Sequence, residues 1–480
     1  MGRKVEELVE TFTQALVDEN AAVFAGAGLS VSSGFVNWRE LMRSIADELG
    51  LDVDREYDLI ALAQYHYNER GGRHRINQLL IREFTKDAQI TENHTILANL
   101  PIRTFWTTNY DDLIEKSLSQ AGKTPDVKIT AANLAINKPR SDAIVYKMHG
   151  DISQPESAVI TKDDYEAYNE KRQLFSTGLQ GDLVSKTFLF LGLSFNDPNL
   201  DYLLSRIRVL LGENRRDHYS LMRKVHRSDF HTKEEYVYAN TKQELQVRDL
   251  QRYGIIGVLV NDYSDYTEIL RKVDKRYRRT SIFVSGSAET YEPWSRGEAH
   301  SSIEKMSAKF IQRGYRVVSG FGYGIGSSVI NGALTQLRSM NSGKIDDRIL
   351  LKPFPQYSPS QKTLQEHWTN YRKNIIPLAG IAIFIFGNKK ADSGEIIDAD
   401  GVFEEFKIAV ERGLVVVPIG ATGYVSAKLH QEVLNNFEKY YGRKSGLKTK
   451  FKELRKIDKH LETVIDRVVD FIAEISNKNI

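Results

Sequence analysis

The sequence predicts an α/β protein built from two successive parallel-sheet domains, and three observations carry that expectation. From Ala21 to about Asp262, short β-branched or aromatic runs alternate with longer stretches whose apolar residues recur three and four apart. Several of the short runs, AAVFAG and TFLFLG among them, are apolar at consecutive positions, as in strands covered by helices on both faces. The alternation then breaks in a basic stretch, RKVDKRYRRT (271–280), and restarts at residue 281. With 480 residues, each half is long enough to bury its own core. The expected domains are residues 1–275 and 281–480.

Taken in order, the strands expected in the first half are AAVFAG (21–26), RTFWTTN (103–109), AIVYKMHG (143–150), TFLFLGLS (187–194), HYSLM (218–222) and IIGVLV (255–260). Between them NWRELMRSIADELG, DLIALAQYHYNER and DPNLDYLLSRIRVLL gather their apolar residues on one helical face. The charge-dense segment from Val225 to Gly254 reads as a solvated helix before the last strand. RKVDKRYRRT reads either as a solvated connector or as a phosphate-binding patch. In the second half the expected strands are SIFVSGSA (281–288), YRVVSGFG (315–322), DRILLKPF (347–354), GIAIFIFG (380–387) and GLVVVPIG (413–420), closed by a helix near HLETVIDRVVDFIAEISN.

Composition narrows the partners. Lys and Arg number 66 against 63 Asp and Glu, a formal charge of only +3 from a small surplus, so nucleic acid is not expected as the main partner. The absence of cysteine rules out disulfides and Cys-ligated zinc and suits a reducing, cytoplasmic setting, and no metal is expected. No window approaches the roughly 18 uninterrupted apolar residues of a membrane span.

Four strand ends in the first half carry polar chemistry. AAVFAGAGLSVSSG runs from a strand into Gly26-Ala27-Gly28 and then Ser30, Ser32, Ser33 and Gly34; bare backbone there lets N–H groups approach a diphosphate, although a plain tight turn would look the same. WTTNYDDLIE ends a strand at Asn109, where an amide can both donate and accept, or simply turn the chain. Asp111 and Asp112 could orient a neighbour or cap the following helix. YKMHGD places His149 at a third strand end, where an imidazole can act as general base, and FLGLSFNDPN places Gly192 and Ser194 at a fourth. In a parallel sheet such ends share the crevice where ligands bind.

These four segments, in this order, resemble the sirtuin family over roughly residues 20–260. The resemblance implies a Rossmann-like domain that binds NAD through Ala25, Gly26, Ala27, Gly28, Ser30, Asp111, Gly192 and Ser194, with Asn109 and His149 catalytic. Sirtuin deacylases also carry a Pro-Asp-Phe-Arg run, where this chain has Phe35-Val36-Asn37-Trp38-Arg39, and a four-Cys zinc module, for which it has no cysteine. The departures resemble instead the prokaryotic sirtuin-like domains that hydrolyse NAD in antiphage defence. NAD is then a substrate.

The second half has three further glycine-serine loops after strands: SGSA (285–288), SGFGYGIGSS (319–328) and GNKKADSG (387–394). With Arg372 in NYRKN and Glu405 before Phe406, they resemble the SLOG family, related to the LOG phosphoribohydrolases, and imply a second Rossmann-like α/β domain. The double-glycine catalytic loop of LOG enzymes is missing, which favours binding over turnover. The resemblance implies a nucleotide site at Gly286, Ser287, Gly320, Gly322, Gly324, Arg372, Lys389 and Glu405. A sirtuin-like domain fused to SLOG resembles the effectors of the Thoeris antiphage system. That implies a TIR-domain partner making a cyclic ADP-ribose isomer, a homo-oligomer, and NAD depletion on activation. A two-site regulator without catalysis and an NAD-dependent deacylase are the rival readings.

Overall fold

The computed structural model describes residues 2–86, 88–195, 197–212, 216–340, 345–354, 364–443 and 445–477. The chain divides into two compact units, Met1–Asp274 and Lys275–Ile480. The first contains β1 (Ala21–Ala25), β2 (Thr104–Thr107), β3 (Pro125–Lys128), β4 (Ala143–Lys147), β5 (Thr187–Leu191), β6 (His218–Arg223) and β7 (Ile255–Val260), in the sheet order β3-β4-β2-β1-β5-β6-β7. Every neighbouring pair is parallel. β1 lies at the centre with all five residues buried, as its unbroken apolar run requires. The chain leaves β1 toward β2 and later returns to its other side as β5, so the order reverses at the β1–β5 junction. Open sheets leave a crevice at such a junction.

One face of this sheet is covered by the helices Gln173–Ser185 and Pro198–Leu211, which pack Phe175, Leu179, Leu183, Leu200 and Leu203 onto Phe24, Trp106, Phe188 and Phe190. Fully burying one such side chain stabilises by about 1.5–3 kcal/mol. Between β1 and β2 the chain inserts the helices Trp38–Glu48, Leu59–Arg70 and His74–Phe84. They close a separate apolar cluster of Leu41, Met42, Ile45, Leu62, Ile76 and Leu80, to which Tyr110, Ala158 and Ile160 belong. The first two start on side-chain caps: Glu40 N–H donates to Asn37 Oδ1 at 2.9 Å, and Ile60 and Ala61 N–H donate to Asp58.

Two elements depart from the sequence reading. β3 carries no apolar alternation, because the residues it buries are Asp126 and Lys128, paired at 2.8 Å, and it starts on a proline at the sheet edge. RKVDKRYRRT is mostly the end of the helix Ser264–Arg278, whose Ile269, Leu270 and Val273 are buried. The charge-dense segment is indeed a solvated helix: Lys233–Leu250 buries only Val247 and Leu250.

The second unit holds β8 (Ser281–Ser287), β9 (Arg316–Ser319), β10 (Ile349–Leu351), β11 (Ile381–Phe386), β12 (Asn388–Lys390), β13 (Ile396–Asp398) and β14 (Val415–Pro418). Five of them form a parallel sheet in the order β10-β9-β8-β11-β14, which reverses at β8–β11. GNKKADSG, expected as a third glycine loop, is instead the turn of an antiparallel ribbon between β12 and β13. The closing helix is Leu461–Asn477.

Candidate active site

The carboxyl ends of β1, β2, β4 and β5 are tied together before they meet any ligand. Thr107 Oγ1 donates to the Ala25 carbonyl at 2.9 Å, Gly26 N–H to that of Leu191 at 2.9 Å, and Met148 N–H to that of Thr107 at 2.9 Å. Gly28 N–H donates to the Gly192 carbonyl at 2.9 Å, welding the first loop to the last. The glycines exist for this contact. A Cβ on Gly192, whose φ is +66°, would sit 2.2 Å from Leu29 N, and one on Gly26 2.6 Å from the Gly192 oxygen.

Beyond this frame opens a cavity of about 930 Å³, walled by the sheet ends and by the inserted helices. Of the residues expected at the NAD site, Ala27, Gly28, Ser30, Asn109, Asp111, His149, Gly192 and Ser194 line it. Ala25 and Gly26 do not. The Ala25 carbonyl is engaged by Thr107, and Gly26 turns toward Gly192 and Leu193, so both belong to the frame that shapes the site.

Asn109 is buried, and its Nδ2 donates to the Gly26 carbonyl at 3.1 Å and to Ser30 Oγ at 3.0 Å. A carbonyl accepts only, so the amide orientation is fixed and Oδ1 is the free atom; it is buried without a partner. The donating half of the amide, expected to face substrate, is consumed by the protein. Asp111, one residue before the N-cap of the helix Leu113–Gln120, accepts from Leu113 N–H at 3.1 Å through Oδ1, while its Oδ2 is buried and unpartnered. Asp112 pairs with Lys116 at 2.9 Å on the surface.

Behind this loop lies a cation absent from the sequence reading. Lys147 is fully buried, donates to the Asp111 carbonyl, and pairs with Asp151 at 2.5 Å and Glu115 at 3.3 Å. Burial opposes its charge, yet Glu115, Asp151 and Asp111 together hold its pKa above the usual range. Glu115 is pushed up by burial, whereas Lys147 keeps Asp151 low despite its burial.

His149 Nε2 lies 3.1 Å from Asp197 Oδ2, a hydrogen-bonding distance at an approach too oblique for a straight bond. Tyr165 and Tyr168 pack edge-on against the imidazole, with ring centroids at 5.6 and 6.2 Å. Asp197 accepts from Leu200 N–H at 2.9 Å as cap of the helix Pro198–Leu211, and from Tyr165 O–H at 3.3 Å. Burial raises its carboxyl, but His149 and these donors bring it below the usual range. Asp197 was visible in FNDPN as a helix start; nothing in the sequence showed that it reaches a histidine 48 residues earlier.

Two cations line the cavity. Arg39 is spent on the carbonyls of Val53 and Glu56, whereas Lys162 has no ion-pair partner among the described residues. Among those residues no group of three His, Cys, Asp or Glu is arranged to hold a metal ion.

In the second unit, Arg372 is held by Glu404 at 2.5 Å and Glu405 at 3.2 Å and lies over the Phe354 ring. Glu405 is buried and accepts from Ser285 Oγ at 2.5 Å, so Ser285, Glu405, Arg372 and Glu404 form one chain from β8 to two helices. Gly286, Gly322 and Gly324 again permit backbone contact: a Cβ on Gly322 would lie 2.2 Å from the Gly286 oxygen, and one on Gly324 1.9 Å from that of Ala288. A Cβ on Gly320 would meet the Phe354 ring at 2.6 Å. Ser287 ends β8, and Lys389, in the ribbon, pairs with Asp400 at 2.7 Å.

A parallel-sheet unit with a cavity at its switch point, followed by a second parallel-sheet unit, is the architecture of two Rossmann-like domains in series. Residues 103–245 match a SIR2-like domain, and residues 265–475 match the Sir2- and TIR-associating SLOG family. NAD(+) hydrolase ThsA of Cytobacillus dafuensis is 49% identical, with the alignment covering 99% of this chain and 97% of that protein. NAD(+) hydrolase ThsA of Bacillus cereus is 46% identical over 98% of this chain and 99% of its own length. Defense-associated sirtuin 2 of Bacillus subtilis is 27% identical over 44% of this chain and 21% of its own. The chain belongs to the ThsA family.

Proposed function

We propose that the first unit hydrolyses NAD to nicotinamide and ADP-ribose. The observation that carries this reading is the convergence of Asn109 Oδ1, Asp111 Oδ2 and His149 on one cavity, the first two buried and unpartnered. Leaving buried acceptors unsatisfied costs about 1–3 kcal/mol each, so they await donors. A ribose hydroxyl or water supplies one, and the nicotinamide carboxamide another. Lys162 offers charge to the diphosphate, which the first loop receives at Ala27, Gly28 and Ser30, with Gly192 and Ser194 opposite.

In the reaction the C1′–N bond breaks with its electron pair leaving on nicotinamide. Water, held by Asn109 Oδ1, attacks C1′, and its proton passes to His149 and on to solvent. The carboxylate of Asp111 favours the positive charge that gathers on the ribose. Positioning carries most of the acceleration, since nicotinamide is already a good leaving group. Chromatography of NAD incubated with wild type, Asn109→Ala and His149→Ala tests it. Loss of products by about 10²-fold or more is expected in each folded variant; undiminished cleavage in either removes that residue.

The second unit is proposed to bind a cyclic ADP-ribose isomer made by a TIR-domain partner, and so to release hydrolysis in a cytoplasmic homo-oligomer that depletes NAD during antiphage defence. The description of the matching family as TIR-associating supports the partner. Arg372, Lys389, Glu405, Ser287 and the glycines 286, 320, 322 and 324 are the proposed contacts. Since Arg372 and Glu405 already neutralise each other, the ligand's phosphate must compete for the guanidinium against Glu404 and Glu405. Calorimetric titration of Arg372→Ala with the isomer that activates wild type checks this; unchanged affinity excludes Arg372.

A further inference from the structure

The hydrolase reading leaves open which imidazole nitrogen is the base, and the surroundings of His149 decide it. Nε2 is buried and lies 3.1 Å from Asp197 Oδ2, obliquely, with no hydrogen bond to any other group. Nδ1 has no hydrogen-bond partner among the described residues, and His149 lines the cavity. The rings of Tyr165 and Tyr168 limit rotation of the imidazole on two sides. Asp197 is itself immobilised: the Leu200 N–H holds one oxygen and the Tyr165 hydroxyl reaches the other.

We propose that Asp197 is a positioning residue that holds His149 as the Nε2–H tautomer, leaving the Nδ1 lone pair to take the proton from water or a ribose hydroxyl. A carboxylate only accepts, so the nitrogen facing it carries the hydrogen, and in a neutral imidazole the other nitrogen is then the acceptor. When Nδ1 takes its proton, the same carboxylate stabilises the imidazolium, and the charge is cancelled within the pair instead of being solvated. The proposal rests on the hydrolase reading and adds a direction to it: the base works from Nδ1, through Asp197.

Asp197→Asn separates this role from capping, because Asn caps a helix about as well as Asp. Its Oδ1 can keep the Leu200 N–H, which turns the amide NH₂ toward Nε2 and favours the Nδ1–H tautomer, with no lone pair left for the substrate. The full-length protein labelled with ¹⁵N-histidine reports this directly, the His149 signals being assigned by their absence in His149→Ala. The expected result is a protonated Nε2 and bare Nδ1 in wild type, the reverse in Asp197→Asn, and kcat for NAD lowered about 10²-fold or more. KM and NAD binding should stay within about threefold, since positioning a base is not uniform binding. Asp197→Glu should restore part of kcat. Wild-type spectra with Nδ1 protonated, or full kcat in Asp197→Asn, overturn the proposal. If His149→Ala itself still cleaves NAD, the hydrolase assignment of His149 fails; if His149→Ala is inactive while Asp197→Asn is fully active, only the role of Asp197 fails.

Discussion

Gly192→Ala attacks the junction on which the site is built. Two costs follow from its geometry. At φ +66° an alanine sits in the left-handed region, which disfavours a Cβ by about 1–2 kcal/mol. The added carbon would also lie 2.2 Å from Leu29 N and 2.5 Å from the Gly28 carbonyl carbon, backbone atoms that cannot rotate away. Relief requires the two loops to part, breaking the bond from Gly28 N–H to the Gly192 carbonyl at a net loss of about 1 kcal/mol, with further loss of packing. The sum is about 3 kcal/mol, or about 6–12 °C in the melting of a unit this large. Gly71→Ala is the matched control: its φ is +63°, but nothing lies within 4 Å of the new carbon, so only the backbone term of about 1–2 kcal/mol applies. Scanning calorimetry of both variants, with NAD binding measured on each, compares them. Equal melting temperatures, or Gly192→Ala within about 2 °C of wild type with intact NAD binding, would refute the collision argument.

Three other outcomes follow from buried polar and aromatic side chains. His218 is buried with Nδ1 accepting the Phe188 N–H at 3.1 Å, and burial, aided by Arg216, lowers its pKa to about 4. The unfolded chain therefore binds more protons below about pH 6.5, and stability is lost as pH falls from there toward 4, by up to about 3 kcal/mol. Denaturant titrations should show that slope reduced in His218→Gln; an unchanged slope refutes the assignment. Lys147→Met leaves Asp151 beside Glu115 without a counter-charge and frees the Asp111 carbonyl, so a loss of about 3–5 kcal/mol is expected. Lys147→Met, Asp151→Asn should recover part of it; no recovery would break the link between the two. Trp106, whose indole donates to Asp182 at 2.8 Å, stacks on Tyr146 at 4.1 Å, and Trp106→Ala should cost about 3–5 kcal/mol, read by urea denaturation. A loss below about 1 kcal/mol would contradict the packing.

The parallel strands were legible because they are buried on both faces and so spell unbroken apolar runs; β1, β5 and β11 bury every residue. β3 escaped because its buried positions hold a Lys–Asp pair, which satisfies burial by charge complementarity instead of apolarity. The β12–β13 ribbon escaped because its glycine and serine looked like a ligand loop, and it is defined by pairing from Asn388–Asp398 to Lys390–Ile396. Of the residues expected to bind NAD or catalyse, all but Ala25 and Gly26 reached one cavity. Lys147 and Asp197 could not be read, since each acts on a partner set by topology: Lys147 bridges two strand ends, and Asp197 reaches His149 from the next crossover.

The welded glycines also alter what a signature is worth. Gly26, Gly28 and Gly192, like Gly286 and Gly322, are demanded by one backbone lying against another, whether or not a ligand ever arrives. A descendant that lost its chemistry would keep them or unfold. Such a descendant could shed the Asn109 amide or the His149 imidazole with far less damage to its frame. The glycine signature therefore diagnoses ancestry, and on the proposed mechanism the polar pair is the better gauge of whether a related gene still encodes a working catalyst.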